Sequence, residues 1–276
     1  MEKKTVAEFF DRCAAWWDAD MVRNEPIIAK ILDNAGVKAG IDVLDVACGT
    51  GVLFPDYLSR GVETVTGIDI SPEMVKVAAA KFPQTEVICA DVETHPFDRQ
   101  FDVVMVYNAF PHFPDPAALI KKLAALVKPG GRLSVAHGMS RAQLQQHHAG
   151  RAAAVSIDLI YEGELAALMA PYFDVDVIIS DERMYQVCGV RLEGEDFSRV
   201  PEKVQETPLE ELVALMKFTV SHNDAHAREM VELAAMLKEA GKVGAYERVM
   251  DAVADFDVLN AKLEAVVSEL TEDEME

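Results

Sequence analysis

Five short apolar runs, beginning at Ile41, Glu63, Thr85, Phe101 and Gly131, recur along the first half of the chain with helix-compatible segments between them. That rhythm admits few folds, because strands joined by helical crossovers lie parallel and need helices over both faces of their sheet. The run Val103-Val104-Met105-Val106 agrees, since a strand covered on both sides reads as continuously apolar. Two further runs, 173–181 and 184–192, are separated by a short turn and should pair as an antiparallel hairpin on the sheet edge. The expected fold is α/β: a doubly wound, mostly parallel seven-stranded sheet with an antiparallel edge hairpin, plus a C-terminal helical hairpin.

The second part of that expectation comes from a change of pattern near residue 195. From Leu209 to Leu270 the chain is rich in Ala, Glu, Leu and Met, with apolar residues at three- and four-residue spacing. It reads as two antiparallel helices turning near "AGKVGAY". Residues 201–276 hold 18 acidic and 7 basic residues, so this stretch carries −11 of the total −21. The predicted organisation is a cofactor-binding domain over 1–195 and an acidic α-helical hairpin domain over 205–276.

Composition narrows the partners. With half of its 276 residues hydrophobic, the chain can bury a full α/β core and carry an appendage. A net charge of −21 repels a phosphate backbone, so nucleic acid is a poor partner and a small-molecule substrate a better one. No window approaches twenty unbroken apolar residues, and acids interrupt the apolar N-terminal stretch. No membrane partner is expected, and the location should be cytoplasmic. Cys13, Cys48, Cys89 and Cys188 lie far apart, which suits neither a zinc ribbon nor a disulfide framework. Oligomeric state leaves no trace in the sequence.

The chemistry concentrates in "VLDVACGTGVLF", residues 43–54. A strand that breaks into a glycine turn at a helix start lets backbone approach a ligand where any Cβ would intrude. A dinucleotide fold wants Gly-x-Gly-x-x-Gly, the third glycine permitting tight helix packing around a pyrophosphate. Gly49 and Gly51 fill the first two places, but Phe54 holds the third. A dehydrogenase is therefore a weak reading. Asp69 ends the next run, 20 residues after Gly49, where it could accept hydrogen bonds from ribose hydroxyls. Asp91 closes the third run and could accept from the exocyclic amine of a base. Ribose and adenine without pyrophosphate describe an S-adenosyl cofactor.

On these residues the chain resembles the class I S-adenosylmethionine-dependent methyltransferases, nearest to their small-molecule, quinone-methyltransferase-like branch. "VLDVACGTG" resembles the first motif of that family, "GIDISPEM" its ribose-binding segment, "ADVETHPF" its adenine segment and "LVKPGGRLSVAH" the turn into strand five. The resemblance implies Asp45, Ala47, Gly49 and Gly51 along the methionine part of the cofactor. It implies Asp69 on the ribose with Ile70 beside it, and Asp91 with Val92 at the adenine. Asn108, just past strand four, joins these cofactor residues. Ala47 stands where many members have glycine.

Methyl transfer is an in-line displacement at a sulfonium carbon, so the protein mainly holds nucleophile and donor together. A base is needed only for an acceptor that arrives protonated, such as a phenol or thiol. Tyr107, His112 and His137 follow strands four and five, the expected ligand edge, and are the catalytic candidates. His147 and His148 occupy the segment that often covers the substrate in this family, and Trp16 and Trp17 resemble part of its N-terminal lid.

His222 and His226 lie four apart, so on a helix both imidazoles share a face and could bind a divalent metal. The competing reading has Asn223 and these histidines hydrogen-bonding across the helical hairpin. Two non-catalytic alternatives follow: an S-adenosylmethionine-binding protein, or a metal-handling one, signalling through that hairpin.

Overall fold

The computed structural model describes residues 3–141, 143, 144, 155–193, 213, 216, 219, 220, 223, 227, 230, 231 and 233–272. The chain divides into two compact units, 1–200 and 201–276.

The first unit is built on seven strands: β1 (Asp42–Val46), β2 (Thr64–Asp69), β3 (Glu86–Cys89), β4 (Phe101–Tyr107), β5 (Val127–His137), β6 (Phe173–Ser180) and β7 (Tyr185–Arg191). They form one sheet in the order β3-β2-β1-β4-β5-β7-β6. The first five are mutually parallel, whereas β7 runs antiparallel between β5 and β6. The order reverses beside β1, and the carboxyl ends of β1 and β4 flank that point, the usual place for a ligand crevice. The seven-stranded sheet with its antiparallel edge hairpin is as the apolar runs imply.

Helices α1 (Lys3–Cys13), α2 (Trp17–Asp20) and α3 (Glu25–Asn34) precede the sheet. After them come α4 (Phe54–Ser59), α5 (Pro72–Lys81), α6 (Pro116–Leu126) and α7 (Glu162–Met169). Several starts are written in the sequence. Asn24, Ser71 and Asp115 cap α3, α5 and α6 by accepting the N–H of Ile27, Met74 and Ala118, and each helix has proline in its first turn. Helix α3 buries Ile27, Ile28, Ile31 and Leu32. Gln186 ties that helix to the sheet: its amide donates to the Ile31 carbonyl and to Ser134, each at 3.0 Å, and accepts from Asn34 at 2.8 Å. All three of its bonds are needed, because the side chain is fully buried.

Phe54 accounts for how α4 meets the sheet. It is fully buried and packs against Phe82 and Tyr57. A Cβ on Gly67 of β2 would come within 2.6 Å of the Phe54 ring, so the small residue that permits close approach lies on the strand. Phe54→Ala should cost about 3–5 kcal/mol.

In the second unit the long helix Val243–Glu272 follows a turn at Ala240 and Gly241. Gly241 has φ +72°, and the Lys242 N–H reaches back to the Leu237 carbonyl at 2.8 Å, a glycine-ended helix terminus. Asn223 Nδ2 donates to Asn260 Oδ1 at 2.9 Å, and Asn260 donates to the Val220 carbonyl at 3.4 Å. These contacts across the turn make the two helical stretches an antiparallel hairpin. Among the described residues, no helix is long and apolar enough to cross a membrane.

Candidate active site

The β1–α4 loop is shaped by left-handed backbone. Ala47, Gly49 and Gly51 have φ of +53°, +56° and +79°. A Cβ at Gly49 would meet no protein atom within 4 Å, and Gly49 lines a cavity beneath α1. That glycine keeps space open for a ligand. Gly51 serves differently: a Cβ there would strike Phe54 and Phe82 at 2.9–3.0 Å. Gly51 therefore answers to helix packing, and it is not among the residues that line the cavity.

Asp45, Ala47, Gly49, Asp69, Ile70, Asp91, Val92 and Asn108 all line this cavity. Asp69 is only 7% exposed and accepts the N–H of Gly49 and of Ser71, each at 2.8 Å. Burial pushes its carboxyl up to about 6, with those two N–H bonds pulling the other way. Asp45, 3% exposed, is pushed up to about 8 by burial, opposed by the Tyr57 hydroxyl and reinforced by the neighbouring Asp69 charge. Two crowded carboxyls in an apolar wall favour a ligand that brings positive charge.

Besides Trp17, the N-terminal segment supplies wall residues that the sequence reading did not single out. Lys3, Val6, Phe10, Trp17 and Met21 line the same cavity. Lys3 pairs with Asp91 at 2.5 Å and Glu93 at 2.7 Å. Burial lowers the Lys3 ammonium, and the two carboxylates outweigh it, holding it above its ordinary value. Ser71 donates to Asp11 at 2.6 Å, and Thr50 donates to Asp18 at 2.5 Å. The segment thus touches the loops after β1, β2 and β3. Trp17 is on the cavity wall, whereas Trp16 is mostly exposed.

Of the catalytic candidates, Tyr107 and His112 line the cavity and His137 does not. His137, 1% exposed, stands opposite Tyr185 of β7, and the two rings meet edge to face at 6.0 Å. The last residue of β5 is thus buried against β7 and is not among the residues that line the cavity. Burial raises the Tyr107 hydroxyl above its ordinary value, so it stays protonated and can donate. Asn108, with φ +54°, accepts the Gly138 N–H at 2.9 Å and clasps the ends of β4 and β5 together. The His112 ring meets Phe10 edge to face at 4.9 Å. His147, His148, His222 and His226 lie outside the described residues. Among the described residues, no group of three or more His, Cys, Asp or Glu side chains could hold a metal ion.

Known proteins agree with this geometry. Residues 44–135 match the family model described as a methyltransferase domain, and residues 212–270 match a domain of unknown function. A ubiquinone biosynthesis O-methyltransferase of Coxiella burnetii is 34% identical over 143 residues, covering 48% of this chain and 61% of that protein. Its counterpart in Thiobacillus denitrificans is 34% identical over 137 residues, covering 46% and 59%. The chain thus spans about three fifths of the length of these relatives. Among solved structures, a Haloferax volcanii protein in complex with the Trm112 methyltransferase activator has a TM-score of 0.56 at 23% identity, covering 67% of this chain and 98% of that one. The magnesium protoporphyrin IX methyltransferase of Synechocystis has a TM-score of 0.53 at 18% identity, covering 69% and 100%. Residues 44–135 of the first unit thus match a methyltransferase domain, on a fold shared with these solved structures.

Proposed function

We propose that this protein transfers the methyl group of S-adenosylmethionine to the hydroxyl oxygen of a small aromatic acceptor. The observation that carries the reading is His112, an imidazole on the wall of the cofactor cavity, edge-on to Phe10. Trp17, Met21, Tyr107 and Phe113 line the same space, an aromatic enclosure suited to a planar ring. The curated relatives, O-methyltransferases by name, support the choice of oxygen.

The cavity fits the cofactor: open space at Gly49, and buried acids where cationic and hydroxyl groups would come. Asp45 would face the methionine ammonium, Asp69 the ribose hydroxyls, and Asp91 with Val92 the adenine edge. When bound, the cofactor supplies an electrophilic methyl group on a sulfonium. His112 takes the acceptor hydroxyl proton as the oxygen becomes nucleophilic, for which a neutral imidazole is well matched near pH 7. Tyr107 donates a hydrogen bond to orient the ring. Phe10, Trp17 and Met21 keep water away from the methyl group.

Purified protein incubated with S-adenosylmethionine and separate series of catechols, simple phenols, thiols and amines should form S-adenosylhomocysteine and an O-methylated product with a hydroxylated aromatic. Turnover confined to thiols or amines, or absent with all four series, would overturn the proposal.

A further inference from the structure

His112 Nδ1 lies 2.7 Å from the backbone carbonyl oxygen of Val155 and 3.2 Å from Ser156 Oγ. A carbonyl can only accept, so at this distance the ring nitrogen must carry the proton. The neutral imidazole is thereby fixed as the Nδ1–H tautomer, and its other nitrogen, Nε2, becomes the proton-accepting one. The same corner is docked independently of the ring. Ile157 N–H donates to the Pro111 carbonyl at 2.8 Å, joining residues 155–157 to the turn Phe110–His112, and Val155 is buried. Phe10, edge to face with the ring, also restricts its rotation. Ser156 can accept a share of the Nδ1 proton, and it gains strength once the ring turns cationic, because hydrogen bonds to charged groups are the stronger ones.

We propose that Ser156, together with the Val155 carbonyl, is a positioning element that sets the tautomer and orientation of His112 for proton removal from the acceptor. This rests on the reading of the protein as a methyltransferase with a protonated acceptor. Neither residue lines the cofactor cavity, so their effect should pass through the imidazole. The arrangement performs with a backbone oxygen and a hydroxyl what a carboxylate does behind many catalytic histidines: it names which nitrogen is the base.

Nitrogen-15 NMR of histidine-labelled full-length protein reads the tautomer directly, without turnover. In the wild type, His112 should give a protonated Nδ1 and an unprotonated Nε2 signal near neutral pH. Ser156→Ala should lower kcat by about tenfold, the size of one lost hydrogen bond. The KM for S-adenosylmethionine should not move, and Ser156→Thr should restore most of the rate. Ile157→Pro, which removes the N–H that docks the corner, should mix the two tautomers in the spectrum and lower kcat further. A wild-type spectrum with the proton on Nε2 would overturn the inference even if the enzyme is fully active. So would Ser156→Ala with unchanged kcat. If no acceptor is methylated but the tautomer is as stated, the proposed reaction fails while the placement of the proton stands.

Discussion

Gly49 N–H donates to the Asp69 carboxylate at 2.8 Å, so the loop after β1 and the end of β2 are held by one acid. That acid also receives the Ser71 N–H, which makes it the joint of the cofactor cavity as well as its proposed ribose contact. Asp69→Asn turns an amide NH2 toward at least one of those donors. Affinity for S-adenosylhomocysteine, measured by calorimetry, should fall about a hundredfold, as expected for charged hydrogen bonds worth some 3 kcal/mol. Unchanged affinity would remove Asp69 from the site.

Asp45 and Asp69 also set a pH dependence. Their carboxyls are held at about 8 and about 6 in the folded chain, above the ordinary 3.8. Between pH 4 and 8 the folded state therefore binds more protons than the unfolded one, and stability falls as pH rises through that window, levelling off above it. Asp45→Asn should make the ligand-free protein more stable at pH 8, by on the order of 1–3 kcal/mol. The same change should weaken cofactor binding. Thermal melting of the ligand-free protein at pH 5 and pH 8 tests the stability change, and calorimetry with S-adenosylhomocysteine the binding change. A variant equally stable relative to wild type at the two pH values would refute the assignment.

Lys3 reaches Asp91 and Glu93 from the N-terminal helix with its side chain part-exposed. An ion pair in that setting is worth about 0.2–1 kcal/mol and is screened by salt. Lys3→Ala should speed S-adenosylhomocysteine dissociation two- to fivefold, roughly what that energy allows. The difference from wild type should shrink in molar salt. Stopped-flow dissociation with the same salt response in both proteins would count against the contact.

The Asn223–Asn260 pair predicts opposite signs for single and double changes. Asn260 is buried, so Asn260→Ala takes away the acceptor of the Asn223 amide, at a cost of about 1–3 kcal/mol. Replacing Asn223 and Asn260 together with leucine should restore or exceed the original stability. Hydrogen exchange across Val243–Glu272 in the full chain would follow both. A double variant less stable than Asn260→Ala would show that the pair is a net source of stability.

The parts of this structure that could be read from the sequence are those where one residue type has one physical reason to be present. Apolar runs between helical segments specify a covered parallel sheet, and Asp69 at the end of β2 and Asp91 just past β3 both line the cavity. Gly49 and Gly51 look alike as letters, yet one leaves room for a ligand and the other for Phe54 and Phe82. No local pattern separates these two uses of a left-handed backbone. His137 poses a similar ambiguity: ending a strand at the ligand edge does not say to which side of a doubly covered sheet the ring turns. Lys3, Asp11 and Asp18 look like ordinary helix-surface charges, since their partners lie 32 to 88 residues away. His112 is conspicuous in the sequence because it follows a strand end, but its orientation depends on Val155 and Ser156, which no spacing links to it.

The contact between Phe54 and Gly67 bears on how such a domain could change its ligand. In a dinucleotide fold the small residue that lets helix meet sheet belongs to the helix; here it belongs to the neighbouring strand, and the helix contributes the bulk. Phe54→Gly alone would empty a void above β2 instead of making a pyrophosphate turn. Filling that void requires a larger residue at 67, and a Cβ there would meet the Cys48 sulfur at 2.7 Å as well as the Phe54 ring, so both neighbours have to give way. Neither order of substitution passes through a well-packed intermediate, so this pair of positions separates two kinds of nucleotide pocket by a step that single changes cross only with loss of stability.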